Sequence, residues 1–141
     1  MSALTFRTAT PTASPVTPPV RLRRWLALDA VVTGGNALAY LLAAGPVGRL
    51  LGLSTGLIAG VGAFLLVFAG GVAWLATRPE PPVLPVKLVI EANAAWVVAS
   101  SAALALGLGP STAGAVWIPA QAAGVAAFAA LQYTALRADR G

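Results

Sequence analysis

Apolar residues dominate four runs of the chain, at 25–44, 53–77, 86–106 and 112–136. At about 1.5 Å rise per residue, each is long enough as a helix to cross a hydrocarbon core of roughly 30 Å. Three breaker segments separate them: Gly45-Pro46-Val47-Gly48, then Arg78-Pro79-Glu80-Pro81-Pro82-Val83-Leu84-Pro85, then Gly107-Leu108-Gly109-Pro110. Proline fixes φ and has no N–H, so these read as two turns and one stiff, extended connector. The pattern predicts an all-α fold, an antiparallel four-helix transmembrane bundle over 21–141. Residues 1–20, rich in Thr, Ser and Pro with no apolar period, read as a disordered cytoplasmic tail.

Polar residues interrupt the apolar runs at helical spacing. In the first run Asp29, Thr33, Asn36 and Tyr40 recur at i, i+4, i+7 and i+11, which puts them on one helix face. The third run carries Lys87, Glu91, Asn93, Trp96, Ser100 and Ser101, and the fourth carries Gln121 and Gln132. Polar faces on lipid-spanning helices turn toward protein or water. By helical rise Asp29, Glu91 and Gln132 fall at one level, roughly 6–8 Å inside the same boundary. Together these residues predict a polar track running from that end into the bundle.

The Gly52, Gly56 and Gly60 repeat is a doubled small-xxx-small pattern, predicted as a packing seam within the bundle. Pro119 should kink the fourth helix or free a carbonyl. Trp25, Trp74, Trp117 and Tyr133 stand near helix ends, where an aromatic belt belongs, while Trp96 is deeper and a candidate pocket wall.

Composition narrows the class further. Of 141 residues 58% are hydrophobic and 9% charged, against about 25% charged in soluble domains, so the chain needs a membrane. It contains neither Cys nor His. That excludes disulfides, thiolate metal sites, Cys nucleophiles, His acid–base chemistry and His haem ligation, and no cofactor is expected. Net charge is +5, but the basic residues sit at helix ends, so a nucleic-acid partner is not expected. With the N-terminus inside, Arg7, Arg21, Arg23, Arg24, Arg78, Lys87, Arg137 and Arg140 are cytoplasmic and only Arg49 is not. Both termini are therefore predicted inside.

The two hairpins echo each other. Asp29 to Gly45 and Glu91 to Gly107 share one offset, and Ser54-Thr55-Gly56 and Ser111-Thr112-Ala113-Gly114 open the helices that follow. Such an echo fits a parallel repeat about an axis along the membrane normal.

Three functions fit this pattern. The leading expectation is a non-enzymatic protein that binds or passes a small solute or ion along Asp29, Thr33, Asn36, Tyr40, Glu91, Asn93, Trp96, Ser100, Gln121 and Gln132. In it Asp29 and Glu91 form a proton- or cation-binding pair. The competing structural account has each acid pairing with Arg23, Arg24 or Lys87, and the amides serving only interhelical hydrogen bonds. A second function is an accessory or scaffold subunit of a larger membrane complex, or a homo-oligomer. A third, weaker one is a lipid- or isoprenoid-acting enzyme using the two carboxylates as acid and base.

The segments Leu28–Tyr40, Glu91–Ser100 and Ala120–Ala123 resemble those of uncharacterised four-helix integral membrane proteins of high-GC bacteria. The resemblance implies a bacterial cytoplasmic membrane and brings no activity with it.

Overall fold

The computed structural model describes residues 20–139; the tail predicted over 1–20 falls, up to position 19, outside them. Among the described residues the chain is all-helical, in five elements. These are α1 (Val20–Leu42), α2 (Ala44–Leu51), α3 (Thr55–Thr77), α4 (Val83–Ala105) and α5 (Thr112–Ala138). All but α2 are long and apolar enough to cross a membrane. Their outward residues include Val31 at 71% and Val67 at 78% exposure, surface that suits hydrocarbon rather than water.

Helix ends follow local chemistry. Ser54 caps α3 by accepting from the Leu57 N–H at 3.1 Å, and Ser111 caps α5 by accepting from the Gly114 N–H at 3.2 Å. The two serines that echo each other in sequence therefore share one local role. α4 begins at Val83, earlier than expected. Pro85 lies in its first turn, where the missing N–H would have had no helical partner.

α1 starts at Val20, five residues before the expected start. Leu22 and Leu26 are buried, and the Arg23 Nε donates to the Ala76 carbonyl at 3.1 Å. Charged residues before the apolar run thus still form helix, because packing holds them there.

The segment Gly45–Gly48 is not a turn but part of α2. Pro46 occupies its third position, where no helical hydrogen bond is forfeited. The helix stops at Gly52, whose φ of 71° is left-handed and strained for any residue with a Cβ. Beyond it the Leu51 carbonyl accepts from the Ser111 N–H at 2.9 Å, and the Ser111 hydroxyl donates to the Leu50 carbonyl at 2.6 Å. A Cβ on Gly114 would run into the Leu51 carbonyl oxygen. These contacts lock α2 to the start of α5.

α1 packs along α3, and α4 along α5; α1 also meets α5, whereas the backbones of α3 and α4 scarcely approach each other. Gly62 is the close-approach glycine of the α1–α3 seam, its Cα facing Ala37, Tyr40 and Leu41. Gly56 and Gly60 have open space where a Cβ would stand. The predicted seam therefore holds only at Gly52, which approaches Ser111 and Pro110, while Gly56 and Gly60 face outward and Gly62, outside the repeat, makes the close approach to α1.

At one end of the bundle Leu22, Leu26, Val72, Leu75, Val86, Val89, Ala135 and Leu136 form the apolar core. They come from the starts of α1 and α4 and the ends of α3 and α5. That cluster occupies the place where the sequence suggested a polar entrance.

Candidate functional site

Asp29 lies about one turn beyond Leu26 on α1 and is 1% exposed. Its Oδ1 accepts from the Thr33 hydroxyl at 2.9 Å. Its Oδ2 accepts from Asn93 Nδ2 of α4 at 2.9 Å and from Gln132 Nε2 of α5 at 2.7 Å. Asn93 Nδ2 also reaches Gln132 Oε1 at 3.3 Å, and Asn93 and Gln132 are 4% and 0% exposed. Three helices thus meet at one carboxyl group, which acts only as an acceptor, as a carboxylate must. Its partners are all neutral. Arg23, one of the residues expected to pair with it, goes instead to the Ala76 carbonyl.

This network orients the amides. Because the carboxylate can only accept, Asn93 and Gln132 must turn their NH2 groups toward it. The Asn93 carbonyl oxygen is left pointing elsewhere. Among the described residues no enclosed side-chain N or O lacks a partner, so this oxygen borders open space. Asn93 lines a pocket of about 50 Å³ beyond the carboxylate, shared with Thr33, Asn36, Tyr40, Phe64, Phe68, Trp96 and Gln121. Asn36 is half-buried, and among the described residues its amide makes no side-chain hydrogen bond, so it faces the same space.

A second set of hydrogen bonds frames the far side. Trp96 Nε1 donates to Gln121 Oε1 at 2.8 Å, and Gln121 Nε2 donates to the Ser100 hydroxyl at 3.2 Å and to the Ile118 carbonyl at 3.1 Å. Trp117 Nε1 donates to the Tyr40 hydroxyl at 2.7 Å, leaving the phenol proton free to donate. Trp117, half-buried, thus ties α5 to α1. Tyr40, Trp96 and Gln121 also line an adjoining pocket of about 210 Å³ with Leu57, Ile58 and Val61.

The wall between α3 and α4 is aromatic. Phe64 stacks on Trp96 with ring centroids 6.0 Å apart and planes 10° apart, and on Phe68 at 6.3 Å. Phe64 is 55% exposed. Phe64 and Phe68 were not legible as site residues, since an i, i+4 aromatic pair in an apolar helix carries no polar signal. Their spacing from Trp96 across the bundle is what sequence cannot give.

Glu91 is exposed and lies apart from Asp29, in a surface groove with Lys87, Tyr133 and Arg137. The expected Asp29–Glu91 pair is not brought together, because Glu91 and Asn93, two residues apart, project from different sides of α4. The remaining residues of the expected face gather in two connected groups, Asp29, Thr33, Asn93 and Gln132 in one and Asn36, Tyr40, Trp96, Ser100 and Gln121 in the other. Trp74 and Tyr133 are half exposed, with Arg78 3.9 Å above the Trp74 ring and Arg137 5.7 Å from the Tyr133 ring. A larger groove of about 630 Å³ outside α1, α2 and α5 is lined chiefly by residues such as Ala39, Val47, Leu50 and Val116; it is apolar surface. Among the described residues no three His, Cys, Asp or Glu side chains gather as a metal site would need.

Comparison of the chain with protein-family models, curated proteins and solved structures found no match.

Proposed function

We propose that this chain is a multi-pass membrane protein, without enzymatic activity of its own, that binds a small solute in the pocket between α1, α3, α4 and α5. One observation carries the reading: Asn93, 4% exposed, lines the pocket, and among the described residues its carbonyl oxygen accepts no hydrogen bond. A polar atom so deep in an apolar bundle is costly unless something hydrogen-bonds to it. Purely structural amides would be satisfied by one another. At about 50 Å³ the near pocket exceeds the roughly 10–15 Å³ one water needs, and the adjoining 210 Å³ exceeds the roughly 150 Å³ of cavities that hold benzene.

The topology we propose is an antiparallel bundle in a bacterial cytoplasmic membrane, both termini inside. The starts of α1 and α4 share an end with the finishes of α3 and α5, and eight of nine basic residues belong to that end or its flanking segments. The matching Ser caps of α3 and α5 fit two related hairpins.

The test is thermal unfolding of the full chain in nanodiscs against a panel of Na⁺, K⁺, small amines, alcohols and carboxylates. At least one solute should raise the Tm of the wild type and of Glu91→Gln, but not of Asn36→Leu, which fills the pocket. A panel that moves none of the three removes the reading. A second function, assembly with another helix, is favoured by Gly56 and Gly60, which face outward with nothing against them. An acid–base enzyme using paired carboxylates loses its basis with Glu91 apart from Asp29.

A further inference from the structure

Resting on that reading, we infer that the solute is a small hydrophobic organic cation, an arylalkyl ammonium in chemical class. Its head sits against Thr33 and Asn93, and its ring lies among Trp96, Tyr40 and Phe64. Asp29 stands directly behind the head position, bonded to both Thr33 and Asn93. Each of these side chains gives a donor to the carboxylate and lines the pocket, so its acceptor oxygen is what it has left to offer there. Hydrogen bonds in series polarise one another, so the negative charge of Asp29 is passed to those oxygens. An N–H-bearing cation satisfies them and balances a buried charge whose protein partners are all neutral.

The rest of the wall agrees. Phe64, Phe68 and Trp96 offer π faces, which attract cations more strongly in a desolvated site. Among the described residues no Lys or Arg lines either pocket, so an anion would meet the field of Asp29 uncompensated. A bare metal ion would find one carboxylate behind the wall and aromatic carbon across it, not the oxygen cage that Ca²⁺ or Mg²⁺ requires. The apolar core closes the bundle at the α1 start, so entry is lateral, where the backbones of α3 and α4 stand apart and Phe64 is exposed.

Isothermal titration of the full chain in zwitterionic nanodiscs with 2-phenylethylammonium and with its neutral counterpart 2-phenylethanol tests this. The cation should bind at least about tenfold more tightly, a difference equivalent to about 1.4 kcal/mol. Asp29→Asn should level the two. Should that variant fail to fold, Thr33→Val, which keeps shape and removes the hydroxyl acceptor, should weaken the cation more than the alcohol. Equal affinity of both probes for the wild type overturns the inference and leaves solute binding standing. Binding of neither also overturns it, and the solute panel described above then decides the wider reading.

Discussion

Gln132 donates to Asp29 at 2.7 Å, joining side chains 103 positions apart in the chain. The bond ties the last helix to the first, and Asn93 adds the fourth at the same carboxylate. The contact sits directly above the apolar core, where Leu26 and Leu136 close the bundle. It therefore marks a boundary: packing by shape on one side, a polar pocket on the other.

Replacing Gln132 with Leu should destabilise the bundle by about 1–3 kcal/mol, because it leaves a buried carboxylate short of a donor. Glu91→Gln, at an exposed position, should stay within about 0.5 kcal/mol of wild type. Unfolding in mixed micelles measures both. Equal effects would mean that Asp29 is not sheltered.

Two glycine substitutions should part ways. Gly114→Ala drives a Cβ into the Leu51 carbonyl and should break the α2–α5 lock. Gly60→Ala meets open space and should be neutral or stabilising by about 0.5–1 kcal/mol in the monomer, as Ala is the better helix former. A loss of self-association in Gly60→Ala, with the fold retained, would be read by sedimentation and would identify the outward seam as a contact.

Tyr40→Phe removes the acceptor of the Trp117 N–H, 2.7 Å away. The stranded donor should cost about 1–3 kcal/mol, and double substitution with Trp117→Phe should recover part of that loss. Strict additivity in the double-mutant cycle would show that the two rings do not interact.

Because the natural chain has no Cys, single cysteines report topology cleanly. Cysteines at Glu80 and Asp139 should react with an impermeant maleimide from one side of the membrane, and cysteines at Ser54 and Leu108 from the other. Labelling of Glu80 and Leu108 from one side would contradict the proposed bundle.

The four long helices were legible because an apolar run of that length admits almost no other structure in this composition. α2 was not, since Gly45 and Pro46 carry turn signals that hold only when proline falls past the first turn. The polar face of α1 was legible from its period, and Asp29, Thr33, Asn36 and Tyr40 do all turn inward or half inward. On α4 the same reasoning could not separate Glu91 from Asn93. Two residues apart on a helix they diverge by about 200°, and no period in Val83–Ala105 identifies the buried side. Helical rise put Asp29 and Gln132 at one level, where they do bond, but nothing in the sequence gave the azimuth of α4. The glycine repeat misled for a related reason: small residues permit close approach but do not say from where.

The most direct test of an Asp29-backed pocket is the reaction rate of a single cysteine at Asn36 with small thiosulfonates of opposite charge, each rate normalised to that of a free thiol. The ethylammonium reagent should modify Asn36→Cys several-fold faster than the ethylsulfonate, about the ratio that 1 kcal/mol of local potential gives. A cysteine at Val31, 71% exposed toward lipid, should react with neither. An Asn36→Cys that is as inert as Val31→Cys, or that takes both charges at one normalised rate, would contradict the account.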